Sequence, residues 1–182
     1  MTRPLLWGIL ASLALAPAGA TTLPDSTTEE LVRRAETVCC VSCESVEARR
    51  DPRTGIVFTH VRLRTLEAMK GHPGAEVRLR LVGGRDGDVE TRVDAMPRFR
   101  EGGECVVLLG PPNRDGHPVV LLATRGVLHL GADEEGRRFL RTRVTGFDGL
   151  PEDARVGLDA FRGAVKRCLE EERRREAGIV GR

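Results

Sequence analysis

The sequence predicts a mainly β domain, a small closed barrel or sandwich with a brief helix before it and an amphipathic helix after it. Three observations carry this. Apolar and polar residues alternate with a period of two in several stretches between residues 37 and 144. Gly- and Pro-rich turns end each stretch at short intervals, as in barrels and sandwiches. Beyond residue 157 the apolar spacing becomes that of a helix.

The chain opens with the three parts of a secretory signal. Arg3 supplies the charged region, 5–15 is an apolar run broken only by Gly8 and Ser12, and Ala18-Gly19-Ala20 offers small residues for cleavage. A membrane anchor needs about 20 apolar residues, more than this run holds. No cysteine follows the small residues for lipid attachment. Residues 1–20 therefore read as a signal peptide and 21–182 as one exported domain, periplasmic or extracellular, with no stable membrane insertion after cleavage.

Thr27 and Glu30 have the spacing of a capping box, which starts a brief helix to about Ala35 burying Leu31 and Val32. Val, Cys and Ser over 37–49 suit a strand. Asp51-Pro52-Arg53-Thr54-Gly55 is a turn, because Pro52 fixes φ and Gly55 accepts positive φ. Val57, Thr59, Val61 and Leu63 then alternate with His60, Arg62 and Arg64, completing a β-hairpin. Val77, Leu79 and Leu81 make a third strand. Gly83-Gly84-Arg85-Asp86-Gly87 reads as a loop too glycine-rich for regular structure, followed by a weaker strand over 88–93. The chain then passes irregularly through Pro97, Phe99 and Gly102-Gly103. Apolar runs at 105–109 and 119–123 flank a turn over 111–118, and 127–130 and 138–144 bracket another at 133–136. Leu158, Phe161, Val165, Cys168 and Leu169 lie on one stripe of a helix over 157–177, with Gly178 as its stop.

Charge and aromatic content narrow the function. With 29 basic and 27 acidic side chains the chain has no electrostatic bias toward nucleic acid or an anionic membrane. Trp7 leaves with the signal and there is no tyrosine, so Phe58, Phe99, Phe139, Phe147 and Phe161 are the mature aromatic inventory. Five phenylalanines, several at core-like positions, make a poor platform for stacked bases. No nucleic-acid partner is expected.

The thiols are Cys39, Cys40, Cys43, Cys105 and Cys168. In an exported protein a disulfide pinning the helix or the first strand to the barrel is expected, worth about 2–4 kcal/mol. The five allow several pairings, so the connectivity stays open. The metal reading rests on Cys39 and Cys43, which share a face of the first strand, with His60 approaching from the hairpin partner. Cys40 points to the opposite face, and no second Cys pair follows as zinc sites require. No metal or other cofactor is expected. Catalysis has no constellation to rest on. There is no Gly-x-Ser-x-Gly elbow and no His-Glu-x-x-His pair, and His60, His72, His117 and His129 are scattered. Gly83 to Gly87 does not lead into a helix, as a phosphate cradle would.

Taken in order, 30–125 resembles a layout of exported bacterial proteins of unknown function. It holds Ala35-Glu36 closing a short helix, Ser45-Val46-Glu47-Ala48-Arg49, the Asp51 to Gly55 turn and Thr59-x-Val61-x-Leu63. Leu66-x-x-x-Lys70-Gly71, Gly83-Gly84 and Pro97-x-Phe99-x-x-Gly102-Gly103-Glu104 follow. The same order resembles netrin-like modules, the OB-fold barrels that include tissue inhibitors of metalloproteinases. The resemblance implies a five- to six-stranded OB-like barrel. Those inhibitors chelate zinc through a mature N-terminal cysteine, whereas this chain would begin at Thr21. The resemblance also implies that Cys39, Cys40 and Cys43 replace ordinary small strand residues in a core.

The expectation is an exported, non-catalytic module that binds another extracytoplasmic protein through loops 83–88, 95–104 and 111–118, since long irregular connections often carry binding. Two alternatives stand beside it. One is a thiol- or metal-handling protein using Cys39, Cys40 and Cys43; the other is a netrin-like protease inhibitor acting through a loop.

Overall fold

The structure is a computed structural model and describes residues 26–151 and 155–178. The signal peptide expected over 1–20 lies outside them. Helix α1 (Thr28–Arg34) begins where the capping box places it. The Thr27 hydroxyl accepts from the Glu30 amide, the Glu30 carboxylate accepts from the Thr27 amide, and Leu31 and Val32 are buried. Strands β1 (Thr37–Arg50) and β2 (Val57–Lys70) pair antiparallel across the expected turn. Asp51 holds that turn. Its carboxylate accepts from the Arg53 amide at 2.8 Å, its carbonyl accepts from Gly55 at 2.8 Å, and Gly55 sits at φ +74°. β2 runs on to Lys70 because Leu66 and Met69 bulge out of the ladder, each adding a residue without breaking the pairing.

The remaining strands are β3 (Glu76–Val82), β4 (Gly84–Asp86), β5 (Val89–Thr91), β6 (Glu104–Pro112), β7 (Pro118–Val120), β8 (Val127–Ala132), β9 (Arg138–Leu140) and β10 (Val156–Gly157). Their order is β10-β9-β8-β6-β1-β2-β3, with β7 also on β6 and β4–β5 a separate two-stranded sheet. The main sheet is open, so the closed barrel expected from the sequence does not form among the described residues. The reason lies in β6. Its edge is divided, with 105–107 pairing β8 and 109–112 pairing β7. That leaves β7 three residues long and opening on Pro118, which has no N–H to donate.

The stretch expected as a glycine loop at 83–87 is partly strand instead. Gly84 adopts φ +127°, and a Cβ there would stand 2.7 Å from the Thr59 hydroxyl and 3.1 Å from Ala48. Glycine thus permits β4 to lie directly on the β1–β2 hairpin.

The sheet buries both faces. On one, α1 and the helix α2 (Leu158–Glu176) cover Val38, Cys40, Val106, Leu108 and Leu128. The expected stripe of α2 is the one buried: Leu158, Phe161, Val165 and Cys168 face inward, and Leu169 is half-buried. Phe161 meets Phe147 edge to face at 5.7 Å. Arg162 binds both oxygens of Glu67, at 2.6 and 2.7 Å, which fixes α2 against β2. On the other face lie Cys39, Val41, Cys43, Val61, Leu63, Leu79 and Cys105, with Val46, Leu81 and Phe99 at the margin. Among the described residues no helix is long and apolar enough to cross a membrane.

Candidate binding cleft

Strand alternation separates the thiols. Cys39, Cys43 and Cys105 share one core; Cys40 and Cys168 share the other, under the helices. All five are buried and free, which corrects the expected disulfide. Register explains it for the first core. Cys105 stands opposite Val41, diagonal to Cys39, and diagonal cross-strand Cα atoms are about 7–8 Å apart, beyond the usual reach of a disulfide. Burial pushes the Cys39 thiol up to about 12 and raises Cys40, Cys43, Cys105 and Cys168 as well, so the protonated form is held throughout.

His60 does not approach this group. It pairs across the ladder with Glu47 and Arg80, on the face opposite Val61 and Leu63, whereas Cys43 pairs with Leu63. Partial burial, then Arg80, Arg49 and His117, hold its imidazole below the ordinary value. Among the described residues no three His, Cys, Asp or Glu side chains converge as metal ligands.

Loop 111–118 belongs to the His60 side. Asn113 shapes it by accepting from the amides of Asp115 and His117, each at 3.0 Å. Arg80 then fastens it, reaching Asp115 at 2.5 Å and Asp51 at 3.0 Å. The other two sequence-predicted loops meet elsewhere. Residues 83–85 and 90–99 curve around a cleft of about 730 Å³. Its floor is Val46, Leu81, Met96 and Phe99, all half-buried, and its rim carries Arg85, Arg92, Arg98 and Glu90. A volume of this size is within the range of ligand pockets, about 300–1,000 Å³.

One wall of that cleft is a strap, 92–98, whose far side faces a second cleft of about 460 Å³ with Thr124, Val127, His129 and Thr142. The strap is strained where it is held. Ala95 has φ +61°, and its carbonyl accepts from the Thr124 amide at 3.0 Å. Leu122 and Ala123, just before that amide, have φ +44° and +52°. These three are the non-glycine residues at positive φ among the described residues, and one hydrogen bond joins the two segments that hold them. Left-handed backbone costs a non-glycine residue about 1–2 kcal/mol, and such strain clusters at functional sites.

The surrounding backbone enforces the geometry. Leu121 donates to the Leu108 carbonyl at 3.0 Å, and a Cβ on Gly126 would lie 2.3 Å from the Leu121 carbonyl. At the other end of loop 95–104, Gly102 donates to the Cys43 carbonyl and Cys43 to the Gly103 carbonyl, both at 2.8 Å. The β4–β5 hairpin is likewise tied down. The Thr59 hydroxyl donates to the Gly83 carbonyl at 2.6 Å, and the Val57 amide to the Thr91 hydroxyl at 3.0 Å.

Sequence reasoning names loops 83–88 and 95–104, which the structure brings together, and 111–118, which it places apart. It misses the 122–129 side. The apolar run at 119–123 reads as a strand throughout, yet strand pairing ends at Val120 and a 3₁₀ turn covers Ala123–Gly126. Leucine and alanine carry no signal for a left-handed turn; only Gly126 marks the close approach. No protein-family model, curated protein or solved structure matches the chain.

Proposed function

We propose that this chain is an exported, non-catalytic module that binds another protein through the cleft between 83–88 and 95–104. The observation that carries the reading is the strained strap: Ala95, Leu122 and Ala123 hold a wall between two open clefts in a conformation the backbone resists. A partner meets a surface already ordered, which lowers the entropic cost of binding. The protonated thiols support a role without nucleophilic cysteine chemistry. The charged start, apolar run and small residues over 1–20 support export. The order β3-β2-β1-β6-β7 supports an OB-like, netrin-like lineage in which the seam between β3 and β7 is left open.

The test is a pull-down from the secreted fraction of the native host, comparing the wild type with a variant whose 83–88 and 95–104 are both replaced by Gly/Ser segments of equal length. Loss of captured proteins in the variant is the expected result. An unchanged set, or none captured by the wild type, overturns the assignment.

A further inference from the structure

We infer that the occupant of this cleft is an acidic, apolar segment of a partner protein, lying across the strap with apolar side chains on the floor and carboxylates on the arginine rim. The inference rests on the cleft being the binding site and adds the chemistry of what fills it.

The two clefts are lined by Arg85, Arg92 and Arg98 against Glu90 and Asp94. Arg92 already engages Glu90, at 2.8 Å. Arg85 spends its Nε on the Gly87 carbonyl. Arg98 is exposed and makes no ion pair among the described residues. On the far side of the strap, burial first and then Arg141 and Arg100 hold the His129 imidazole below its ordinary value. Complementary charge at such a rim favours acidic partners and rejects basic ones. The floor asks for something else. Val46, Leu81 and Phe99 extend the second core outward to half-buried positions, where apolar side chains of a ligand continue that core. Val93, on the strap between the clefts, is 39% exposed and offers an apolar contact to a chain crossing it.

The experiment uses the full mature chain, ¹⁵N-labelled, and three synthetic twelve-residue peptide libraries with the same apolar positions. The alternating positions are glutamate in the first, glutamine in the second and lysine in the third. The expected result is that the glutamate library shifts amides within 83–99 and binds about tenfold tighter than the glutamine library, with the lysine library silent. Arg98→Gln, at an exposed site with no bond to lose, reduces that preference about two- to fivefold. Raising the salt concentration narrows it further. Equal binding of glutamate and glutamine libraries at 83–99 overturns the acidic partner and leaves the cleft reading standing. Shifts confined to other regions, or none with any library, overturn both.

Discussion

The guanidinium carbon of Arg80 lies over the ring of Phe58, 3.8 Å from its centroid, while its nitrogens reach Asp51 and Asp115. One side chain on β3 thereby joins β2, the β1–β2 turn and loop 111–118. Lysine cannot reproduce a planar fork stacked on a ring. Arg80→Lys is expected to lose about 1–2 kcal/mol in chemical denaturation. Amide exchange across 113–117 should accelerate, with binding at the 83–99 cleft unchanged. Loss of cleft binding in this variant would show that loop 111–118 belongs to the site.

The thiols give a second expectation. With Cys39 held near 12 and the other four raised by burial, native alkylation at neutral pH should add no mass. After denaturation without reductant all five cysteines should be labelled. A denatured protein that takes up three labels or fewer contains a disulfide and contradicts the free-thiol core.

Thr65 carries the buried side-chain oxygen that has no hydrogen-bond partner among the described residues. It sits in β2 opposite Val41, where a branched side chain fits the strand. Thr65→Val keeps the shape and removes the orphan hydroxyl, so stability should rise by about 1 kcal/mol. A fall of similar size by urea denaturation would mean that the hydroxyl has a partner.

Ala95 tests the strain directly. Ala95→Gly removes the Cβ that opposes φ +61°, offset in part by greater freedom in the unfolded chain. The expected change in stability is between zero and about +1 kcal/mol. Destabilisation beyond about 1 kcal/mol would show that the methyl packs rather than strains.

Much of the scaffold is legible in the sequence because it is local. The capping box of Thr27 and Glu30 needs only residues three apart, and the turn at Asp51 only five. The stripe from Leu158 to Cys168 follows helical geometry alone. What escapes depends on distant neighbours. The bulge at Glu44 shifts the alternation of β1, so Cys43 and Val46 share a face although they lie three positions apart. The open sheet follows from β6 dividing its edge between β7 and β8, which no single segment encodes. The strap is half legible. Pro97 within it and Gly102-Gly103 just beyond mark an irregular segment, but its partner at Leu122 and Ala123 is hidden in an apolar run.

Two histidines set a pH response. Partial burial first, then neighbouring arginines, depress His60 and His129, so the unfolded chain takes up protons on these imidazoles more readily than the folded one. Stability is then fully present above the ordinary imidazole value, about 6.5, and declines as pH falls toward the depressed folded values. The denaturation midpoint should drop between about pH 7.5 and 5.5, and the double variant His60→Gln/His129→Gln should flatten that slope. An unchanged slope would assign the response to other groups.

The central claim is that partners meet the strap between the two clefts. Among the described residues three large apolar side chains are exposed, Val93 on the strap, Ile56 beside the β1–β2 turn and Val119 on β7. The most direct measurement places a photo-crosslinking residue at each position in turn, in the full chain expressed in its native host. The account predicts a crosslinked partner from position 93 and none from 56 or 119. Crosslinks from 56 or 119 with position 93 silent would contradict it.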